Sequence, residues 1–364
     1  MYVEDPGAAN FVIPLMPELP RTGWKGCLYA NGLAVPYLAA RGCAATELES
    51  GLSAAELVES KDPDVVLVGT SENVDSRAFE FIDAAARAGK PSVAAVDGPA
   101  NLGSRFRGRG DTALHHAPDW LFLTDPWTKE QYAKLGFPPD RLAVTGHPYY
   151  DLIRQEGDRL RKVGAERARQ HFFPDAPPDR RIVVFLSEPS QGFGLEWKRR
   201  SAGYTLNGWG DSDGRTDIVM EEFLDAVSEL DDRPWLVLRL HPKDSRETYA
   251  AQAERFDAIS EGGQALPQLF AADLVVGLST SLLIEAEFAG LNTLSILPQE
   301  ADRDLIMTVR DGTTPCATTG EQIRAQFNAL LNKEPGVRTG DAPPPGVPAT
   351  QRVIEALDRL CRAD

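Results

Sequence analysis

Positive charge is in short supply in this sequence: 38 Lys and Arg face 54 Asp and Glu, a formal net charge of -16 over 364 residues. A field of that sign repels polyphosphate and excludes non-specific nucleic-acid binding. The local basic stretches Arg105, Arg107, Arg109 and Lys198, Arg199, Arg200 still leave room for one small anionic ligand. Cysteine is equally sparse. Cys27, Cys43, Cys316 and Cys361 lie far apart without a C-x-x-C pair, which disfavours zinc and redox motifs and fits a reduced compartment. No apolar run approaches the roughly 20 residues that span a bilayer, and Met1-Tyr2-Val3-Glu4 opens without a basic leader. The expectation is a cytoplasmic protein with neither a secretion signal nor a membrane span. Histidines are few, and the adjacent pair His115-His116 has no nearby acid to complete a metal triad, so both are read as loop residues. His171, in a charged stretch, has no assigned role. The letters Asp211-Ser212-Asp213 sit in a Gly/Asp-rich loop and read as a turn. No metal is expected, and no short-period repeat is present.

What is present is an ordinary globular composition, 42% hydrophobic and 25% charged, which argues against disorder. Chains of this length usually divide into domains of roughly 100 to 200 residues. The first half alternates short apolar strands with amphipathic helices, the pattern of a parallel sheet with crossover helices. Strands are expected at 2–4, 26–30, 63–69, 91–97, 120–124 and 141–145, with helices at 11–19, 33–40, 54–59, 76–88 and 129–135. A charged helical pattern from Asp151 gives way to Phe173-Pro174-Asp175-Ala176-Pro177-Pro178-Asp179, which resists regular structure. A second α/β series follows, with strands at 182–186, 235–240, 273–276 and 293–296 and helices at 218–230 and 282–289. Pro343-Pro344-Pro345 precedes a last helix at 351–361. The expected division is 1–155, a linker at 156–180, 181–340, and a terminal helical segment at 341–364.

In open α/β sheets ligands bind beyond the carboxyl ends of strands, so motifs at those positions rank first. Leu238-Arg239-Leu240-His241-Pro242-Lys243 ends an apolar strand in His-Pro, placing His241 at the strand's mouth with Lys243 adding charge. His241 is either a phosphate donor or a plain turn histidine. In Asp273-Leu274-Val275-Val276-Gly277-Leu278-Ser279-Thr280-Ser281 a strand runs into three hydroxyl residues that open a helix, and N–H groups and hydroxyls there suit an anion. Simple capping needs one hydroxyl, whereas three are present. Glu285, four residues after Ser281, either accepts from ribose hydroxyls or faces solvent as a structural acid.

Together these elements, His-Pro at one strand end and then strand, Ser/Thr cluster, Glu-Ala helix and Gly290, resemble the C-terminal half of GT-B glycosyltransferases. Within that class they are similar to bacterial sialyl-, Kdo- and CDP-glycerol-dependent capsule transferases, and the UDP-N-acetylglucosamine 2-epimerase group shares the architecture. The likeness covers 182–298 by motif and the first half by pattern. It implies two Rossmann-like domains facing across a cleft, a cytidine or uridine nucleotide-sugar donor, a hydroxyl acceptor, no required cofactor, and a role in surface polysaccharide or glycoconjugate synthesis. Donor phosphate would meet His241, Lys243, Ser279, Thr280 and Ser281. Thr145-Gly146-His147-Pro148 is similar to the Thr-Gly-Asn-Pro segment of such enzymes, with His147 in place of Asn. Inverting transfer needs a base for the acceptor hydroxyl, and Asp97, before Gly98-Pro99, is the candidate. Its setting is similar to the acidic-Gly doublet of sialyltransferases, with Val96 where the first acid would stand, and a turn-opening Asp is the alternative. The Asp5–Asn10 turn, with Gly7 and Asn10, is either an acceptor-side loop or a structural turn. Trp197, Tyr204 and Trp209 form either a lid or an ordered surface loop, and Arg105 or Arg200 would meet donor phosphate. The rival readings are a nucleotide-sugar epimerase, which needs paired acids, and a non-catalytic nucleotide-sugar-binding protein.

Overall fold

The computed structural model describes residues 1–48, 51–189, 199–333 and 346–361. Trp197, Lys198 and Pro343–Pro345 lie outside the described residues. The chain divides into two compact units, Met1–Leu152 with Pro345–Asp364, and Ile153–Pro344. The division falls inside the helix Tyr149–Val163. Much of the segment expected as a linker is therefore helical, continuing through Ala165–Phe172 before the proline-rich stretch.

The first unit contains strands β1 (Tyr2–Val3), β2 (Tyr29–Ala30), β3 (Thr46–Glu47), β4 (Val66–Gly69), β5 (Ser92–Ala95), β6 (Trp120–Leu123) and β7 (Leu142–Val144). They form one sheet in the order β3-β2-β1-β4-β5-β6-β7, and every pairing is parallel. The second unit contains β8 (Ile182–Leu186), β9 (Trp235–Arg239), β10 (Ala258–Ser260), β11 (Leu274–Gly277), β12 (Thr293–Ile296) and β13 (Cys316–Ala317). Its order is β10-β9-β8-β11-β12-β13, again all parallel. Parallel strands need long crossovers, and helices on both faces bury both sides of each strand. That is why β4, β5, β8, β9, β11 and β12 are buried at every position. In both sheets the chain builds outward from its first strand on one side, then crosses back and builds on the other. The order reverses between β1 and β4 in one unit and between β8 and β11 in the other.

Local signals explain the helix starts. Ser53 and Glu56 form a reciprocal capping box ahead of Ala54–Lys61. Asp125 caps Pro126–Lys134, with proline in the first turn. The helix expected at 11–19 begins earlier, at Pro6, because Pro6 follows an extended Asp5, and the supposed tight turn is the first helical turn. It stops at Val12 and is followed by Leu15–Glu18. Strands β3, β10 and β13 have no long apolar run in sequence. β3 and β13 are two-residue edge strands, and β3 is exposed.

The last helix, Ala349–Cys361, belongs to the first unit. Val353, Ile354, Ala356 and Leu357 pack with Phe11, Val12 and Leu15 in one core. Trp24 Nε1 donates to Asp358 Oδ1 at 2.9 Å, and Thr350 N–H and Oγ1 donate to Asp151 Oδ2 at 2.8 and 2.9 Å. Truncating Leu357 to alanine should cost about 2 kcal/mol or slightly more, the lower end for a buried leucine because it borders a cavity. The loss should appear in hydrogen exchange of β1 to β7 as earlier opening in urea, while β8 to β13 keep their protection.

Candidate functional site

In the second unit three loops leave neighbouring strands at the carboxyl edge. β8 ends in Ser187-Glu188, β9 in Leu240-His241 and β11 in Leu278-Ser279-Thr280. Ser187 Oγ accepts from the His241 N–H at 2.8 Å and donates to Asp244 Oδ2 at 2.9 Å, tying the β8 exit to the β9 exit. The Lys243 N–H donates to His241 Nδ1 at 3.1 Å. An accepting Nδ1 leaves Nε2 as the protonated nitrogen of the neutral ring, which makes the outer edge of His241 a donor. Lys243 itself is exposed.

The Ser/Thr cluster divides its work. Thr280 is the N-cap of helix Ser281–Phe288, and its Oγ1 accepts from the Leu282 N–H. The Leu283 N–H donates to the Thr280 carbonyl at 3.1 Å. Among the described residues no acceptor meets the N–H of Thr280 or Ser281, and the Ser281 side chain is exposed. Among the described residues the helix terminus thus leaves two backbone donors and one exposed hydroxyl without a protein acceptor. Ser279 is different, because both its N–H and its Oγ donate to the Glu188 carboxylate, the latter at 3.1 Å. Glu285 is half-buried one turn along the helix.

Glu188 was not singled out in the sequence, nor was Arg215, and the structure joins them. Arg215 Nη1 lies 2.8 Å from Glu188 Oε2, while Nε and Nη2 meet Asp302 Oδ2 at 3.2 and 3.0 Å. Arg215 is 2% exposed and Glu188 7%. A charge so buried demands partners, and here each has them. The signal available in sequence was Ser-Glu-Pro directly after the all-apolar strand Ile182–Leu186, an acid at a strand exit.

In the first unit Asp97 stands two residues past β5. Its Oδ1 takes a hydrogen bond from Arg105 Nη1 at 2.6 Å, and the same nitrogen donates to Thr70 Oγ1 at 2.7 Å beyond β4. Arg105 Nε reaches the Ala100 carbonyl at 3.1 Å. Arg105, one of the two arginines named for donor phosphate, is the anchor of Asp97. Gly7 is explained by the same carboxylate, since a Cβ there would lie 1.9 Å from Asp97 Oδ2. Its neighbour Ala8 packs so near the sheet that a Cβ on Gly69 would come within 2.2 Å of it. Asn10 is drawn into the fold, its Oδ1 accepting from the Tyr37 hydroxyl at 2.9 Å.

A second acid joins Asp97 that the sequence reading did not weigh. Asp5, just past β1, has its pKa raised by burial and by the nearby Glu4 and Asp97 carboxylates, against a lowering hydrogen bond from Ser71. Glu4 itself accepts from the Tyr2 hydroxyl at 2.9 Å. His147 is also close. Burial lowers its pKa to about 4 despite the opposing charges of Asp97 and Asp151, and its Nδ1 accepts from the Tyr149 N–H at 3.2 Å.

The remaining candidates lie elsewhere. His115 and His116 meet edge to face with centroids 4.5 Å apart, and His116 stacks on Phe79. Among the described residues no group of His, Cys, Asp or Glu is arranged to hold a metal ion. Asp213 pairs with Arg199, and Ser212 with Asp217. Arg200 Nη2 donates to the Asn207 carbonyl at 2.6 Å. Trp209 is held by Glu221 and Asp225, and the Tyr204 hydroxyl is buried. A cavity of about 440 Å³ between Trp24, Tyr29, Leu57, Lys61, Phe81 and Leu357 opens at the amino ends of β1, β2 and β4, the sheet edge opposite these loops. It holds none of the predicted residues. No described helix is long and apolar enough to cross a membrane.

Two parallel sheets, each in Rossmann order with its polar groups gathered at the strand-order reversal, make this a GT-B fold. Solved structures agree. The chain is similar to UDP-GlcNAc 2-epimerase from Neisseria meningitidis bound to UDP-GlcNAc (15% identity, 98% of each chain, TM-score 0.62). It is similar to Alr3699/HepE from Anabaena in complex with UDP and glucose (13% identity, 91% of this chain and 89% of that one, TM-score 0.55). MurG from Acinetobacter baumannii matches 99% of each chain at 13% identity and a TM-score of 0.53. At these identities the likeness carries the fold alone. No protein-family model matches the sequence, and no curated protein sequence matches it.

His147 gives this region a pH signature. Its folded pKa, near 4, lies below the unfolded value near 6.5, so the unfolded chain binds the extra proton between those limits. This contribution is complete above pH 6.5 and declines as pH falls toward 4, by up to about 1.4 kcal/mol per pH unit. His147→Gln should flatten that part of the stability profile in urea melts from pH 4 to 7; an unchanged slope would show that His147 does not titrate as its burial demands.

Proposed function

We propose that the chain transfers a glycosyl or related group from a nucleotide-activated donor to a hydroxyl acceptor. The observation that carries this reading is the pair of open N–H groups on Thr280 and Ser281, beside the donor edge of His241, at the strand-order reversal of the second sheet. Fixed donors of this kind stabilise negative charge as it develops on a leaving phosphate. Asp97, held by Arg105 and Thr70, is the group assigned to take the acceptor hydroxyl proton as the anomeric carbon is attacked. Two of the solved neighbours carry UDP-GlcNAc, or UDP and glucose, which supports a nucleotide sugar as donor.

Asp5 favours a second reading. Two carboxyl groups that sense each other at one strand edge suit proton removal and return on a sugar, the chemistry of an epimerase. Incubating a donor without acceptor separates the two: isomerised sugar supports the epimerase, and sugar transferred only when a hydroxyl compound is added supports the transferase.

A thermal-shift panel of cytidine and uridine mono- and diphosphates and their sugar conjugates tests the shared premise. Stabilisation by at least one nucleotide is expected, and none by any would remove both readings. His241→Ala and Ser281→Ala should each weaken binding roughly tenfold, the loss of one hydrogen bond to a charged group. Asp97→Asn should leave donor affinity intact and lower turnover by about 10² to 10⁴-fold; full turnover would remove Asp97 as the base.

A further inference from the structure

The Ser279 N–H, the Ser279 hydroxyl and Arg215 Nη1 converge on one carboxylate, that of Glu188. They do so between β8 and β11, where the strand order of the second sheet reverses and where this fold leaves room for phosphate. A backbone N–H at a turn, a hydroxyl and one arm of a guanidinium are the donor types that bind phosphate oxygens. Here they are engaged by an anion that the chain supplies itself.

We propose that these three donors form a phosphate position, and that Glu188 stands in it until the terminal phosphate of a nucleoside diphosphate displaces the carboxylate. The inference rests on the nucleotide reading above and adds Arg215 and Glu188 to it, with Thr280 and Ser281 receiving the neighbouring phosphate.

Two features make the exchange feasible. Arg215 uses two separate edges: Nε and Nη2 hold Asp302 Oδ2, while Nη1 holds Glu188 and reaches Ser279 Oγ at 3.3 Å. Asp302 is fixed in turn by Gln299 Nε2 at 2.7 Å. When Glu188 leaves, the guanidinium therefore keeps a buried counter-ion and its orientation. The Glu188 backbone is also pinned, its carbonyl accepting from Thr216 Oγ1 at 3.2 Å and from the Tyr249 hydroxyl at 2.8 Å. Side-chain rotation frees the position without moving the strand exit. Until then Glu188, Asp302 and Arg215 carry one net negative charge between them, which a phosphate must oppose.

Calorimetric titration of wild type and Glu188→Gln with UMP, UDP and pyrophosphate tests this. The neutral amide removes the competing charge, so affinity for UDP and pyrophosphate should rise about tenfold or more, with a smaller gain for UMP. Adding Arg215→Lys to Glu188→Gln should reverse the gain for UDP. If Glu188→Gln does not fold, Glu188→Asp, which shortens the reach by one methylene, should show the same direction of change. UDP affinity that is unchanged or weaker in the Glu188 variant would make Glu188 a permanent brace and overturn the proposal, while leaving the nucleotide reading in place. Failure of UMP, UDP and pyrophosphate to bind either protein would overturn this proposal, while the nucleotide reading itself stands or falls with the cytidine and uridine thermal-shift panel.

Discussion

Parallel pairing is the constraint from which the arrangement of this molecule follows. A strand that pairs in parallel with neighbours on both sides is covered by crossover helices on both faces, so its side chains are buried along its length and mostly apolar. β8, with Ile182 to Leu186 all buried, shows this fully. Polar groups are pushed to the strand ends, and because all strands run the same way, every functional loop leaves by the same edge. At the first strand of each sheet the chain departs to one side and later returns on the other, so the loops flanking that strand diverge and leave space between them. The candidate residues gather beside β1 and β4 in one unit, and beside β8, β9 and β11 in the other.

The two reversals share a topology and differ in electrostatics. Beside β1 the groups are acidic, Glu4, Asp5 and Asp97, with Arg105 as the buried cation that fixes Asp97. Such a surface offers acceptors to hydroxyl groups. Beside β8 the strand-exit groups include donors, the Thr280 and Ser281 N–H groups and the imidazole of His241. Such a surface suits phosphate. In both units a buried arginine carries the arrangement, satisfied on more than one side, since an unpaired guanidinium at that depth would be strongly destabilising.

Much of this was legible from sequence, because the period and length of apolar runs report burial directly. The strands at 182–186 and 293–296 were read to the residue, and the remaining central strands to within a few positions. Edge strands such as Thr46–Glu47 were invisible, since two exposed residues leave no pattern. His241 and the Ser279–Ser281 turn could be found because strand-to-loop punctuation is local. The joining of Glu188 to Arg215 and of Arg215 to Asp302 could not, these partners being 27 and 87 residues apart and brought together only by folding. Asp97 was legible as an acid at a strand exit, whereas its partners Arg105 and Thr70 required the sheet to set β4 beside β5. Gly7 and Asn10 show the converse. Their types left a ligand loop and a structural turn both open, and the structure uses the glycine to admit a carboxylate and the asparagine to hold Tyr37.

Under the proposed nucleotide reading, a chain with a net charge of -16 faces a conflict between its global field and its local chemistry. Adding surface lysines would be one answer, and it would be screened by salt within about 8 to 10 Å. The second unit follows another route. Backbone N–H groups at a helix start and a neutral imidazole are dipoles, so they create favourable potential over a few ångströms while leaving the net charge unaltered. The buried positive charge of Arg215 is balanced by Glu188 and Asp302 and shielded from solvent. Attraction for phosphate is thereby confined to ligands that reach the strand edge and match its geometry. The net negative charge opposes longer polyanions, so in the proposed reading the same charge distribution that argues against nucleic acid favours a small phosphorylated ligand.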